Sequence, residues 1–366
     1  MHDLRGSHTQ GLSADMNQVS SPSRPLNPYL RRLNLFTKNR LNNAPYNLIS
    51  LFCGGGGLDL GLGFAGFKTL VASDITPIFV ETVATNINHV KPFVKSVLDI
   101  TSDELVELAE TRDIDLVAAG PPCQSFSILG KRGALDDPRG KLALKYFELI
   151  SEIKPRAFIF ENVPGLISVN GGRDWKELVE FAKEKTKFHL HIGKLNAQFR
   201  ERVVIVGFRK ALPFKFPEGG PTGIGAKILK GFEHTRLPSR WALENVDNLQ
   251  NHYLRPHGKA VKERYSTIPQ GGRDKVDHTD RIDPDRPSGT VLVGSSAGGG
   301  RPHIHPFQDR VISPREAARL QSFPDWYIFQ GTTSAQFRQT GNAVPPLLAY
   351  EIGRRIRESL DNDLSE

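Results

Sequence analysis

The chain has little from which to build a covalent or metal framework. Its 366 residues include only two cysteines, which excludes a disulfide scaffold and a zinc site built from cysteine. No apolar run approaches the ~18 residues that a membrane span needs. The N-terminus lacks the apolar core of a secretion signal. Hydrophobic residues make up 38% and charged residues 24%, the balance of a soluble globular protein with length enough for two domains. An intracellular, cytoplasmic protein without membrane partner or bound metal is expected.

What the chain does have is excess positive charge, unevenly placed. The formal net charge is +8, of which residues 1–46 carry +4 and residues 209–286 carry +5, so the remainder sums to −1. A near-neutral body with two basic pieces suits a polyanion approached from particular sides. Solvated surface charge with a basic tail is the plainer reading of the same count.

Polar, aperiodic sequence up to about Pro45 predicts little order, although Leu30, Leu33 and Phe36 share one face of a short helix. Strand-like runs follow at 47–52, 69–73, 114–119, 157–160, 188–192 and 203–206, and helix-like runs at 103–110, 141–153 and 174–185. That alternation predicts an α/β domain with a largely parallel sheet covered on both faces. Beyond Arg209 the rhythm breaks into a Gly- and Pro-rich stretch, and helical patterns return at 314–321 and 345–360. Four pieces are expected: a basic tail (1–46), a catalytic and cofactor-binding domain (47–209), a smaller irregular domain (210–305) and a return to the first domain (306–366).

Chemistry concentrates where strands end. Phe52-Cys53-Gly54-Gly55-Gly56-Gly57 joins the first strand to a helix, where glycine lets backbone approach a ligand. Asp74 stands 20 residues after Gly54, placed to accept bonds from ribose hydroxyls. A dinucleotide fingerprint fails, because Asp59 occupies its third glycine position, and no Gly-Lys-Ser/Thr completes a P-loop. A cofactor with adenosine and ribose but no pyrophosphate fits better. Asp99 could address its adenine edge. Pro121-Pro122-Cys123-Gln124-Ser125 follows an apolar strand, so Cys123 is a candidate nucleophile in a polar turn. Glu161 leaves the strand Phe158-Ile159-Phe160 as a candidate acid, and Gln198, Arg200 and Arg202 alternate onto one face. Taken singly, these residues also fit a tight turn, a buried thiol, a cap and a surface ion-pair ladder.

Taken together they carry a resemblance. Phe52-x-Gly54-x-Gly56, Pro121-Pro122-Cys123-Gln124, Glu161-Asn162-Val163, Gln198-x-Arg200-x-Arg202, Arg315-Glu316-Ala317-Ala318-Arg319-Leu320-Gln321-Ser322-Phe323-Pro324 and Gly341-Asn342-Ala343-Val344-Pro345 occur in that order. The chain resembles a DNA (cytosine-5) methyltransferase of the bacterial restriction–modification type, from about residue 47 to 358. The resemblance implies a doubly wound, Rossmann-like domain that binds S-adenosyl-L-methionine, with the irregular segment as target-recognition domain. It implies double-stranded DNA as substrate, a cognate restriction endonuclease acting on the same site, and a monomer.

By resemblance, Cys123 adds to C6 of a flipped-out cytosine, Glu161 contacts N3 and the exocyclic amine, Arg202 binds O2, and Arg200 holds a nearby backbone or phosphate group. Phe52, Gly54, Gly56, Asp74, Asp99, Pro122, Leu142, Asn342 and Val344 would form the cofactor site; Gln124, Ser125, Gln198 and Thr290 would meet the DNA. Three departures stand out: Asp74 replaces the usual Glu, no glycine precedes Asp99 closely, and Leu195-Asn196-Ala197 runs straight into Gln198 where the family has some six more residues. The last leaves open a catalytically weakened or inactive DNA-binding homologue. Methylation of transfer RNA on the same fold and a nicotinamide-linked oxidoreductase are the remaining alternatives.

Overall fold

The computed structural model describes residues 26–38, 40–41, 44–122, 140–197, 200–218, 237–291 and 302–364. Seven strands form one sheet: β1 (Tyr46–Leu51), β2 (Phe67–Asp74), β3 (Lys91–Val94), β4 (Leu116–Ala119), β5 (Ala157–Asn162), β6 (His189–Ala197) and β7 (Arg200–Phe208). Their order is β3-β2-β1-β4-β5-β7-β6. β1 to β5 run parallel, while β7 enters antiparallel to β5 and pairs antiparallel with β6. This is the expected doubly wound α/β fold, with the chain reversing direction on either side of β1. Such a reversal leaves a crevice at the carboxyl ends of the central strands.

Six of the seven strands coincide with apolar runs, and the clearest of these, β1, β4, β5 and β7, lie inside the sheet, where burial on both faces selects continuous hydrophobic sequence. β3 escaped that reading. It is a four-residue edge strand, Lys-Pro-Phe-Val, with no buried residue, and edge exposure removes the apolar signal.

Two cores sandwich the sheet. On one side, helices Ser102–Ala109, Gly140–Ile153 and Arg173–Thr186 cover Ile49, Val117, Phe158 and Phe160. Phe147 and Phe158 are fully buried there with ring centroids 5.7 Å apart, and each such ring contributes roughly 1.5–3 kcal/mol by leaving water. On the other side, helices Gly57–Phe64 and Pro346–Leu364 pack closely over Leu48, Leu116 and Ile159. Glycine makes that closeness achievable, because a Cβ on Gly57 would strike the Val344 carbonyl and one on Gly61 the Pro346 carbonyl.

Within the irregular segment, residues 237–291 have two short helices, Arg240–Leu243 and Lys259–Ser266, and isolated bridges such as Arg273↔Asp280. It joins the body through a small core of Ala242, Leu243, Ile282 and Val291 against Ile312, Ala317, Leu320 and Phe337. Part of the N-terminal stretch is ordered: Asn27 caps helix Pro28–Thr37, whose Leu30 and Leu33 are buried as their spacing suggested. No helix among the described residues is long and apolar enough to cross a membrane.

Candidate active site

The first half of the site lies at the ends of β1 and β2. Phe52 and Gly54 both adopt left-handed backbone, with φ of 54° and 52°. That turn sends the Gly54 N–H onto Asp74 Oδ2 at 3.2 Å, while Thr76 N–H donates to Oδ1 at 2.8 Å. Asp74 therefore braces the glycine turn as well as ending β2. Burial raises its pKa, against the pull of these backbone donors.

The four glycines divide by purpose. A Cβ at Gly54 would meet nothing nearer than the Phe52 carbonyl at 3.9 Å, so this position stands open. A Cβ at Gly55 would crowd Gln339 at 2.9 Å, and one at Gly56 would collide with the Tyr327 hydroxyl. Gly55 and Gly56 are thus set by packing against the C-terminal return, where Tyr327 also donates to the Gly55 carbonyl at 2.9 Å.

Two exposed apolar side chains adjoin the candidate acids and were passed over by motif reading. Ile75, directly after Asp74, is 69% exposed, and Leu98, directly before Asp99, is 37% exposed. Their only sequence signal was adjacency to the two acids. Asp99 ends the short turn Val97–Asp99, Leu142 is half-buried on Gly140–Ile153, Asn342 is exposed at the end of Thr333–Asn342, and Val344 is buried beside Gly57. Cys53 is buried with Val80 and Val83, and burial pushes its thiol pKa well up, as befits a packing residue.

The second half lies at the ends of β4 and β5. Asn162 donates through Nδ2 to the Pro121 carbonyl at 3.0 Å, fastening the strand-end carboxylate to the Pro121-Pro122 turn. Glu161 is 8% exposed and pairs with Arg202, Nε to Oε1 at 2.8 Å. Burial raises the Glu161 pKa, and Arg202 and Arg200 only partly oppose it. A carboxyl so placed holds a proton more readily than one in water.

β7 delivers the arginines because it runs on past the end of β5. Their pairing ends at Asn162↔Val203, and the alternation then turns Arg202 and Arg200 inward and Glu201 outward. Arg200 is 2% exposed and donates from Nη2 to the Gly341 carbonyl at 2.7 Å, while Nε and Nη1 find no partner among the described residues. Burial lowers its pKa to about 9, with Arg202 adding to the effect and Glu161 opposing it.

The shortened junction leaves this arrangement in register. β6 and β7 pair without a break from His189↔Phe208 to Ala197↔Arg200, so two residues join them. Two-residue links are the commonest antiparallel connection. Cys123, Gln124, Ser125 and Gln198 lie outside the described residues, while Pro122 is exposed at the end of the β4 turn. Thr290 is half-buried, its carbonyl 3.0 Å from His303 Nε2. The described residues thus gather Glu161, Arg200, Arg202, Pro121 and Gly341 at one place and Gly54 and Asp74 at another.

The family model for C-5 cytosine-specific DNA methylases matches residues 46–358. The chain belongs to this family. A type II methyltransferase of Xanthomonas oryzae, XorII, is 35% identical over 360 residues, covering 85% of this chain and 84% of that one. Another from Haemophilus parahaemolyticus, HphI, is 32% identical over 336 residues, covering 86% and 87%. Among solved structures, a prophage-encoded E. coli protein described as a DNA modification methyltransferase aligns with a TM-score of 0.67 at 26% identity, covering 86% of this chain and 99% of that one. The methylase is accordingly a DNA (cytosine-5) methyltransferase of the type II restriction–modification kind, and its methyl donor is S-adenosyl-L-methionine.

Proposed function

We propose that the methylase forms a covalent bond between the Cys123 sulfur and C6 of a cytosine turned out of duplex DNA. The observation that carries this reading is the Glu161–Arg202 pair, tied through Asn162 to the turn that precedes Cys123. Cytosine C5 is a poor nucleophile until the thiolate adds at C6 and pushes an electron pair toward N3. Glu161, whose proton is favoured by burial, donates it to N3 as that charge develops, and Arg202 binds O2. S-adenosyl-L-methionine supplies an electrophilic methyl group, which C5 takes up. Loss of the C5 proton to a base then expels the Cys123 thiolate, and return of the N3 proton to Glu161 restores the ring. Because C6 is inaccessible inside the stack, the base must leave the helix, at a cost of about a few kcal/mol.

The cofactor's nucleoside fits the residues at β1 and β2. Gly54 has open space on its side-chain face, and the Asp74 carboxylate lies beside it at the end of β2. Ile75 and Leu98 offer apolar surface to the adenine ring. Phe52, Gly56, Asp99, Pro122, Leu142, Asn342 and Val344 complete that site, and Gln124, Ser125, Gln198 and Thr290 meet the nucleotide.

The 210–305 stretch reads the target sequence in this proposal, with exposed Arg255 and Lys275 on phosphates. The product would resist a restriction endonuclease that cuts the same sequence, and the methylase would act as a monomer. The unbroken β6–β7 register supports full chemistry over a weakened homologue. A 5-fluorocytosine duplex tests the proposal: with cofactor present, a denaturant-stable protein–DNA adduct should form, and Cys123→Ser should abolish it. Ordinary turnover without any trapped adduct would overturn the covalent step. Bisulfite sequencing of DNA from expressing cells would read out the target.

A further inference from the structure

Helix Pro28–Thr37 precedes the family match, which begins at residue 46, yet it is bonded to both parts of the molecule. At its start, Asn27 Nδ2 donates to the Trp241 carbonyl at 2.8 Å and to Glu244 Oε2 at 3.2 Å, and Tyr29 stacks on Trp241 with ring centroids 6.4 Å apart. Midway, Asn34 makes a two-way pair with Asp325. Its Nδ2 donates to the carboxylate at 2.9 Å, and its Oδ1 accepts the Asp325 N–H at 3.0 Å. At the end, the Trp326 indole N–H donates to the Thr37 hydroxyl at 3.0 Å, and Phe36 meets Tyr350 edge-on.

The Asp325 contact reaches further than the helix itself. Arg319, fully buried on helix Pro314–Leu320, grips Asp325 at 2.6 and 3.0 Å. The same guanidinium donates to the carbonyls of Glu244 at 2.6 Å and Asn245 at 3.3 Å. Asn34, Asp325, Arg319 and residues 244–245 therefore form one polar chain. Apolar contacts alone, such as Leu30 and Leu33 with Leu347, would tolerate sliding; a directional amide–carboxylate–guanidinium chain fixes one arrangement.

We propose that this helix is a clasp between the catalytic body and the 237–291 segment, with Asn34 as a positioning residue. By holding residues 237–251 in one orientation it sets how well the methylase engages DNA, without touching cofactor or the reacting base. The proposal rests on the reading of that segment as the recognition element.

The test uses the full chain carrying Asn34→Ala, read by hydrogen exchange and steady-state kinetics. Exchange should quicken in 237–251 while β1–β7 amides keep their protection. KM for DNA should rise roughly tenfold, as for the loss of a contact of about 1.4 kcal/mol. At saturating DNA kcat should hold, and cofactor affinity should be unchanged. Should Asn34→Ala fail to fold, Thr37→Val, which removes the acceptor for Trp326 and a local bond to the Asn34 carbonyl, should give the same pattern with a smaller rise. Unchanged exchange in 237–251 would overturn the clasp. Loosened amides with an unchanged KM would overturn its role in DNA engagement, while adduct trapping and bisulfite mapping would still judge the proposed function separately. Equal losses in KM, kcat and cofactor affinity would also overturn it, as the mark of general destabilisation.

Discussion

The sheet and the joint around helix Pro314–Leu320 are both deeply buried, but different forces hold them. In the sheet, Leu48, Val117, Phe158, Ile159 and Val206 are fully enclosed by other apolar side chains. In the joint, burial falls on charge: Arg315, Glu316 and Arg319 are each 1% exposed or less. Arg310 forks onto Glu316 at 2.7 and 2.8 Å, and Arg315 donates to the carbonyls of Gln250, Pro324 and Tyr327. Apolar packing is indifferent to direction and suits a scaffold. Paired charges and carbonyl bonds are directional and suit a joint that must hold an irregular segment at one angle.

The largest effect should come where the carboxyl end of β5 meets the start of β7. Glu161→Gln keeps shape and hydrogen bonding but cannot pass a proton, so kcat should fall by ~10²–10⁴-fold with DNA binding retained. A single-turnover assay would show it, and a loss confined to KM would argue that Glu161 only binds. Next, Glu316→Ala should cost about 3–5 kcal/mol in unfolding stability, because it strands the Arg310 guanidinium in the interior. Phe158→Ala in the sheet should cost a similar ~3–5 kcal/mol. The contrast is in acid: burial raises the Glu316 pKa, but Arg310, His305 and the Ser313 N–H together hold it lowered, so its share of stability is lost as pH falls through that value, whereas the Phe158 share persists. Equal pH profiles for the two variants would erase the distinction.

A smaller effect tests the exception within the sheet core. Asp59 is fully buried and burial raises its pKa from 3.8 to about 6, the Ser50 hydroxyl opposing the shift. A raised carboxylate favours its neutral form, so the native enzyme should lose stability as pH climbs from about 4 to about 6. Asp59→Asn should remove that loss and gain about 2–3 kcal/mol above pH 6, by roughly 1.4 kcal/mol per pKa unit. Thermal midpoints across this range would decide; identical slopes would place Asp59 in water. Smallest of all, Arg255→Ala should reduce the slope of log affinity against log salt by about 1 without altering which sequence is methylated. A changed target preference would move Arg255 from phosphate to base.

The contrast also explains what could be read in advance. Strands buried on both faces announce themselves as apolar runs, so β1, β4, β5 and β7 were legible, and β3, exposed at the sheet edge, was not. Motif glycines were visible as a group, but only packing separates Gly54, which stands open, from Gly55 and Gly56, pressed against Gln339 and Tyr327. The shortened approach to Gln198 looked like a threat to Arg200 and Arg202. A sheet register absorbs it, because strand pairing sets where a side chain points and a two-residue link suffices to maintain that pairing.

By itself the sequence determined the family, through six short motifs in fixed order, and with it the chemistry expected of Cys123, Glu161 and Arg202. Tertiary structure decided which distant groups complete the site and the joint. Arg200 bonds to Gly341, 141 residues away, and Asn34 to Asp325, 291 residues away. Periodicity and turn chemistry act over a few residues and leave marks in the sequence. Contacts across hundreds of residues are selected by packing and by the pairing of buried charge, which no local pattern records.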